Sequence, residues 1–125
     1  MRKQYHFRKS ERGLLAWDVD RLIMLSKAFP IIDVPLTKIK ELDENYWFDA
    51  DGGEPTCRAI AQHATLIQAV DLSFPVILLS NGRVADGMHR ICRAWMEGLE
   101  SIKAVRFASD PEPDYVGMKP EDLPY

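Results

Sequence analysis

The chain has few cysteines and no cysteine motif. Its 125 residues include two, Cys57 and Cys92, and neither stands in a CxxC pair or at the Cys/His spacing of a zinc site. Neither lies beside a Gly-His or Ser-His pair, so a nucleophilic thiol is not indicated. Both fall in helix-like segments among apolar neighbours, which predicts two buried free thiols.

Long apolar runs and a net positive charge are also missing. No stretch approaches the ~18–20 apolar residues of a membrane span, and no apolar segment follows the basic N-terminus as it would in a secretory signal. The net charge is −3 at pH 7, whereas a domain that binds nucleic-acid backbone over a broad surface is usually basic. We expect a cytoplasmic protein with no membrane partner.

Length and composition fit one domain, with 46% hydrophobic and 28% charged residues. The pattern divides the chain into an N-terminal arm (1–13), a folded body (14–108) and a proline-rich tail (109–125). The arm is rich in Arg and Lys, and either a loose segment or an edge strand at Gln4–Phe7 fits it. The tail is expected to be irregular and to pack on the body or on a neighbour, which leaves a homo-oligomer open.

The first half of the body has the pattern of a helix, a strand, a short turn and a long helix. Asp18 or Asp20 can cap the first helix, Thr37 the short turn and Thr56 the long helix. β-branched residues in the range 31–36 predict the strand. The long helix is expected from Cys57 to about Val70, with an inner stripe of Cys57, Ile60, Ala64 and Ile67.

The second half predicts a hairpin, a helix and a final strand. The apolar run Val76–Leu79 indicates a buried central strand, and Asn81-Gly82 is a strong hairpin signal. A strand is also expected over Ile102–Phe107. The intervening helix should run from Met88 to near Gly98 with Ile91, Ala94 and Trp95 on its inner face. This order predicts an α+β fold, with a small mixed sheet and flanking helices.

The main functional signal is the turn Asp86-Gly87-Met88-His89-Arg90, where a short strand meets a helix start. The first backbone N–H groups of a helix lack internal partners and carry the positive end of its dipole. A glycine allows close approach, and His89 and Arg90 add side-chain donors, so the turn indicates a phosphate site. The alternative is a tight turn at Gly87 with both side chains in solvent.

A second candidate is the stretch Glu41–Phe48, which places acidic residues directly before three aromatics. It can form a pocket wall whose carboxylates act as a base or contact a metal, or a solvated acidic turn followed by core aromatics. The loop at 49–55 lacks the ligand order of a calcium site. His63, at the margin of the long helix's apolar stripe, is expected to be a structural hydrogen-bonding residue.

Together these residues resemble the ParB/sulfiredoxin superfamily over about 31–107. The resemblance rests on Val34–Ile39, on Phe74–Leu78 with Asn81-Gly82, on Asp86–Arg90 with Arg93-Ala94, and on Ile102–Val105. It implies that Gly87, His89 and Arg90, with Arg93 one turn farther on, hold the phosphates of a nucleotide (ATP, ADP or CTP with Mg²⁺). The backbone amide of Met88 at the helix start is expected to join them. Asp86 is a candidate ligand for the metal if phosphoryl is transferred.

The resemblance also limits the chemistry. Sulfiredoxins carry a redox cysteine where this chain has Met88, and a thioether cannot form a thiolate, so sulfiredoxin activity is not expected. Free-serine kinases of similar fold use an acidic base after the first strand, which points to Asp43 or Glu44. No helix-turn-helix pattern follows, so sequence-specific DNA binding is not implied.

The expected function is therefore that of a stand-alone ParB-like domain that binds a nucleotide or another phosphorylated small molecule. If the protein is an enzyme, nucleotide-dependent phosphoryl transfer fits best. The alternative is a non-catalytic DNA- or protein-interaction module related to ParB, and a third interpretation is a domain whose site is silent. DNA would be contacted through the basic arm, at Arg2, Lys3, Arg8, Lys9 and Arg12.

Overall fold

A computed structural model describes residues 3–48 and 53–125. Within these ranges it shows the α+β fold that the sequence predicts, with three helices and two small sheets. Single 3-10 turns span Leu36–Lys38, Lys40–Asp43 and Pro120–Asp122. In chain order the elements are β1 (Tyr5–Ser10), β2 (Gly13–Asp18), α1 (Val19–Ser26), β3 (Ile32–Pro35), α2 (Cys57–Ala69), β4 (Val76–Leu78), β5 (Val84–Asp86), α3 (Met88–Met96), β6 (Ser101–Arg106) and β7 (Tyr115–Val116).

The four-stranded sheet has the order β3-β6-β4-β5 and is mixed. β4 and β6 are parallel, and the other neighbouring pairs are antiparallel. β4 lies inside the sheet and all three of its residues are buried, which confirms the prediction from its apolar run. The predicted hairpin is present as well, because the N–H of Leu79 donates to the carbonyl of Arg83 across the Asn81-Gly82 turn.

The two faces of this sheet belong to two separate apolar clusters. Val76 and Leu78 pack with α3 and the turns after β3, whereas Ile77 packs with β2 and α1 on the opposite face. Asp18 caps α1, as predicted, by accepting a hydrogen bond from the N–H of Asp20 at 2.9 Å. β4 therefore separates the α3 side of the protein from the α1 side.

The N-terminal segment forms a second sheet. β1 and β2 make an antiparallel hairpin, and β7 from the tail pairs with β2, giving the order β1-β2-β7. Of the two expectations for the N-terminal arm, the edge strand is correct, and it covers residues 5–10. The sequence does not predict β2, because its buried residues Leu15–Trp17 lack the alternation of apolar and polar residues that marks a half-buried strand. The tail packs on this hairpin and buries Leu123.

The cap predicted for α2 is present, but its predicted inner stripe is wrong. Its cap is as expected, with Oγ1 of Thr56 accepting from the N–H of Ala59 at 3.1 Å. No residue of α2 is buried, however, and its half-buried residues are Ala59, His63 and Ile67. The helix packs on α3 and not on a sheet, so the expected inner stripe is largely in solvent: Cys57, Ile60 and Ala64 are exposed.

Three smaller expectations are also corrected. Cys57 is an exposed thiol, and Cys92 is half-buried, with a pKa raised by that burial. Trp95 is 65% exposed because the buried stripe of α3 is narrower than the predicted face and comprises Met88, Ile91 and Ala94. Thr37 lies inside a 3-10 turn that has no side-chain cap.

In the described part of the chain, no helix combines the length and the apolar character that crossing a membrane requires.

Candidate functional site

α3 begins at a glycine that another residue could not replace without strain. Gly87 has φ +108°, and a Cβ on it would lie 2.6 Å from Cγ1 of the buried Val76. No side chain caps the helix, so the amide N–H groups at Met88, His89 and Arg90 have no acceptor four residues back within it. Uncapped helix ends can bind anions, although the contact with Val76 alone also accounts for the glycine.

The Arg90 guanidinium is held largely by its own chain. Nη1 donates to the carbonyls of Phe74 at 2.9 Å and Pro75 at 2.8 Å, and Nη2 donates to Oδ2 of Asp86 at 2.8 Å. Its side chain is 15% exposed. These bonds use three of the five N–H donors of the group, and Nε–H and one Nη2–H have no partner among the described residues.

His89 is part of a stacked aromatic group that the sequence did not reveal. Its Nε2 lies 2.8 Å from Nδ1 of His63 on α2. The Trp47 ring stacks on both imidazoles, with ring centroids 4.6 Å from His89 and 4.2 Å from His63. We call these three side chains the Trp47–His63–His89 stack.

Burial lowers the pKa of both imidazoles, and the neighbouring His63 lowers that of His89 further. The lowered pKa favours the neutral form, in which one ring donates and the other accepts at the 2.8 Å contact. Nδ1 of His89 has no partner within the described chain. His63 is thus a hydrogen-bonding residue, as expected, and it orients a predicted site residue.

Arg93 is placed one turn farther along α3 and is bound to protein groups. Its Nε donates to Oε1 of Glu97 at 2.9 Å, and Nη1 donates to the carbonyl of Gln68 near the end of α2 at 2.9 Å. These contacts tie α3 to α2. The phosphate contact expected of Arg93 therefore stays a prediction, and the structure gives this side chain a role in packing.

The two predicted general bases differ in their surroundings. Arg83 binds both carboxylate oxygens of Glu44, at 3.0 and 2.5 Å, and this hydrogen bonding lowers the pKa of Glu44. Asp43 is exposed, and its side chain makes no hydrogen bond or ion pair with the other described residues. A carboxylate with a lowered pKa is a weaker base, so the contact with Arg83 makes Glu44 less suited to accepting a proton.

Glu41 is the acidic residue that sequence reasoning missed. It is 3% exposed, and its Oε2 accepts from the N–H of Val84 at 2.6 Å and lies 3.4 Å from Nε of Arg83. Its Oε1 is buried and has no hydrogen-bond partner among the described residues. Burial together with the charges of Glu41 and Asp86 raises the pKa of Tyr46 to about 12.

The stretch from Glu41 to Phe48 thus follows the second alternative, an acidic turn before core aromatics, except that Glu41 is buried. Tyr46 and Trp47 pack against the core cluster of α3, and Glu44 stays near the surface. The buried carboxylate of Glu41 accepts a hydrogen bond from Val84, which lies 43 positions away in the sequence. No local pattern encodes such a contact.

Asp86, the predicted metal ligand, shares its carboxylate with Arg90. The described ranges contain no group of three or more His, Cys, Asp or Glu side chains that could hold a metal ion. The contact of Asp86 with the Mg²⁺ of a nucleotide stays a prediction.

Basic residues of the N-terminal arm are partly neutralised. Lys3 donates to Oδ2 of Asp18 at 2.9 Å, and Arg8 lies 3.4 Å from Asp110 and over the ring of Trp17. Arg2, like the loop residues 49–52, lies outside the described residues. The predicted DNA contact of this arm therefore gains no support from the charges of Lys3 and Arg8.

Comparisons of the chain with protein-family models, with curated proteins and with solved structures found no match.

Proposed function

We propose that the N-terminus of α3 binds the phosphate of a nucleotide or of another phosphorylated small molecule, as the resemblance to the ParB/sulfiredoxin superfamily implies. The observation that carries this proposal is the uncapped helix end that follows Gly87. Its free amides provide hydrogen bonds and dipole charge for an anion.

Two side chains support the same site. Nδ1 of His89 and the two uncommitted N–H groups of Arg90 can add hydrogen bonds to phosphate oxygens. A hydrogen bond to a charged group contributes about 1.5–3 kcal/mol. Three such bonds supply at most about 9 kcal/mol, and an association cost of at least about 4 kcal/mol leaves about 5 kcal/mol, which corresponds to a Kd of roughly 0.2 mM or weaker.

The proposal is limited to binding. Phosphoryl transfer would need a base near the phosphate, and Arg83 holds Glu44 and lowers its pKa. The geometry therefore supports a binding domain better than a kinase.

The test is a ¹H–¹⁵N NMR titration of the full chain with CTP, ATP, ADP and inorganic phosphate, with cytidine as the probe without phosphate. We expect the phosphorylated probes to shift the backbone amides of Gly87–Ile91, and cytidine to leave them unchanged. Shifts that miss these amides, or a response to cytidine equal to that of CTP, would contradict the proposal.

Variants assign the contribution of the side chains. His89→Ala should weaken binding about tenfold or more, as expected for the loss of one hydrogen bond to an anion. Arg12→Ala, which removes an exposed cation at the turn between β1 and β2, is the matched control and should bind normally. Arg90→Ala is unsuitable because it also removes three structural hydrogen bonds.

A further inference from the structure

A cavity of about 220 Å³ lies on the α3 face of the four-stranded sheet, beside the Asn81-Gly82 turn. Two buried apolar side chains, Ile39 and Leu78, line it, and its other lining residues come from β3, from the turns after β3 and from the end of β6. Sites for whole drug-sized ligands typically measure roughly 300–1,000 Å³. The smaller volume suits a compact chemical group.

Every charged residue that lines this cavity is a cation. The four cations come from three separate parts of the chain and are Lys38, Lys40, Arg83 and Arg106. The chain as a whole has a net charge of −3, so the sign of the charge at this cavity is opposite to that of the protein. A cleft that combines charges of one sign with apolar walls concentrates the electric field and attracts ions of the other sign.

Two carboxylates next to the cavity neutralise part of this charge. Arg83 binds both oxygens of Glu44, and its Nε lies 3.4 Å from Oε2 of Glu41. Besides the hydrogen bonds from Arg83, the positive charge of Lys40 helps to lower the pKa of Glu44. Both carboxylates together balance only two of the four cations. An excess of two positive charges therefore remains at the cavity.

The uncommitted side-chain groups that line the cavity are hydrogen-bond donors. The ammonium group of Lys38 makes no hydrogen bond or ion pair with the other described residues. Arg106 donates from Nε and Nη2 to the carbonyl of Ser80, so three of its five N–H groups have no partner in the described part of the chain. Oδ1 of Asn81 accepts from the N–H of Arg83, which leaves the NH₂ of this side chain as a further donor.

We propose that this cavity binds the phosphate dianion of a small molecule, held by Lys38, Lys40 and Arg106. A phosphomonoester carries a charge of about −1.5 to −2 at pH 7 and three acceptor oxygens, which match the excess charge and the free donors. A carboxylate would leave one of the two excess charges without a partner. The site shares no residue with the phosphate site proposed at the start of α3 and does not depend on it.

The test is a ¹H–¹⁵N NMR titration of the full chain with glycerol 2-phosphate, sulfate and acetate at constant ionic strength. Glycerol 2-phosphate and the dianion sulfate should shift the backbone amides of residues 38–40 and 81–83. Acetate should bind about threefold to fivefold more weakly, the factor that the loss of one exposed ionic contact gives. No shifts at these amides, or equal binding of acetate and sulfate, would overturn the proposal.

Variants locate the site. The double variant Lys38→Gln, Lys40→Gln should weaken the binding of glycerol 2-phosphate about tenfold, since each exposed contact contributes about threefold to fivefold. Lys103→Gln is the matched control, because this exposed lysine lies on the opposite face of β6 from Arg106 and pairs with Asp33 at 2.8 Å. It should bind normally. Shifts that survive the double variant, or an equal loss in Lys103→Gln, would overturn the assignment of the cavity.

Two further measurements separate this proposal from other interpretations. The amides of residues 87–91 report the α3 site in the same titration, and His89→Ala should leave the shifts at residues 38–40 unchanged, so the two sites can fail independently. A short single-stranded oligothymidylate tests the diester backbone of nucleic acid as the source of the phosphate. If it binds this cavity more tightly than glycerol 2-phosphate at about 0.15 M salt, the small-molecule proposal is overturned.

Discussion

α2 and α3 pack against each other, and each is preceded by a glycine with positive φ, yet they have different roles in the structure. Gly53 (φ +93°) lies three residues before the Thr56 cap of α2, and Gly87 (φ +108°) directly precedes α3. α3 buries Met88, Ile91 and Ala94, and α2 buries none of its residues. The comparison shows that the presence of a helix signal in the sequence does not by itself decide whether the helix is buried.

The two helices also differ in what they contribute to the candidate site. α3 packs on the sheet and begins at a helix end without a side-chain cap. It can therefore hold the proposed ligand in a fixed position. α2 is capped by its own Thr56 and contributes His63 to the Trp47–His63–His89 stack. Four predictions test this division of roles, from the largest expected effect to the smallest.

Gly87→Ala should destabilise the protein by about 4 kcal/mol. The new Cβ would add left-handed backbone strain and a 2.6 Å contact with Val76, which is fully buried and cannot move away. Gly53→Ala has the same sign of φ but meets nothing within 4 Å, so we expect a loss of about 1 kcal/mol. Urea unfolding measures both, and equal losses would contradict the comparison.

Ile91→Ala should cost about 3 kcal/mol because this α3 side chain is 0% exposed and its removal leaves a cavity. The matched variant on α2, Ile60→Ala, concerns a side chain that is 52% exposed and should change the free energy of unfolding by less than about 0.5 kcal/mol. A large loss for Ile60→Ala would show that α2 is covered in solution.

Thr56→Ala should cost about 1 kcal/mol, since it removes the hydroxyl that accepts from the N–H of Ala59. Hydrogen exchange of the first-turn amides of α2 should accelerate, and that of α3 should not. Thr65→Ala is the control, because its hydroxyl bonds within the helix to the carbonyl of Ala61. Faster exchange in α3 would mean that the two helices unfold as one unit.

The smallest effect is a pH dependence at the contact between the helices. Burial lowers the pKa of His63 and His89 below the ordinary 6.5. The unfolded chain therefore binds more protons than the folded chain just below pH 6.5, so stability is present at neutral pH and falls as the pH drops. Urea midpoints at about pH 7.5 and pH 5.5 measure this loss.

The double variant His63→Gln, His89→Gln should show a smaller loss over that interval. His6, whose burial lowers its pKa to about 4, contributes the same background to both proteins. A pH dependence that is identical in the two proteins would show that the histidine pair does not titrate with folding.

Several elements could be predicted because their signals are local. The Asn81-Gly82 hairpin, the caps at Asp18 and Thr56, and the final strand follow from residues only a few positions apart, and the structure contains all of them. The sequence does not predict that β1 and β2 form a hairpin, because the apolar residues of β2 do not alternate with polar ones and the turn between the strands has no Asn-Gly step.

The candidate site was predictable in position but not in its contacts. The glycine and the helix start at Gly87 could be found from the sequence. The partners of Arg90 lie 15 and 16 residues away at the carbonyls of Pro75 and Phe74, and those of His89 and Glu41 lie 26 and 43 residues away. Local periodicity carries no information about such pairs.

The sequence by itself determined the α+β class, the order of most elements and the bend at Gly87, because backbone preference and side-chain period act over a few residues. The tertiary structure alone decided which helix is buried, which carboxylate lies in the interior and how Arg90 is bound. Those outcomes depend on packing between segments that are distant in the sequence, because a surface that one segment covers is no longer available to another.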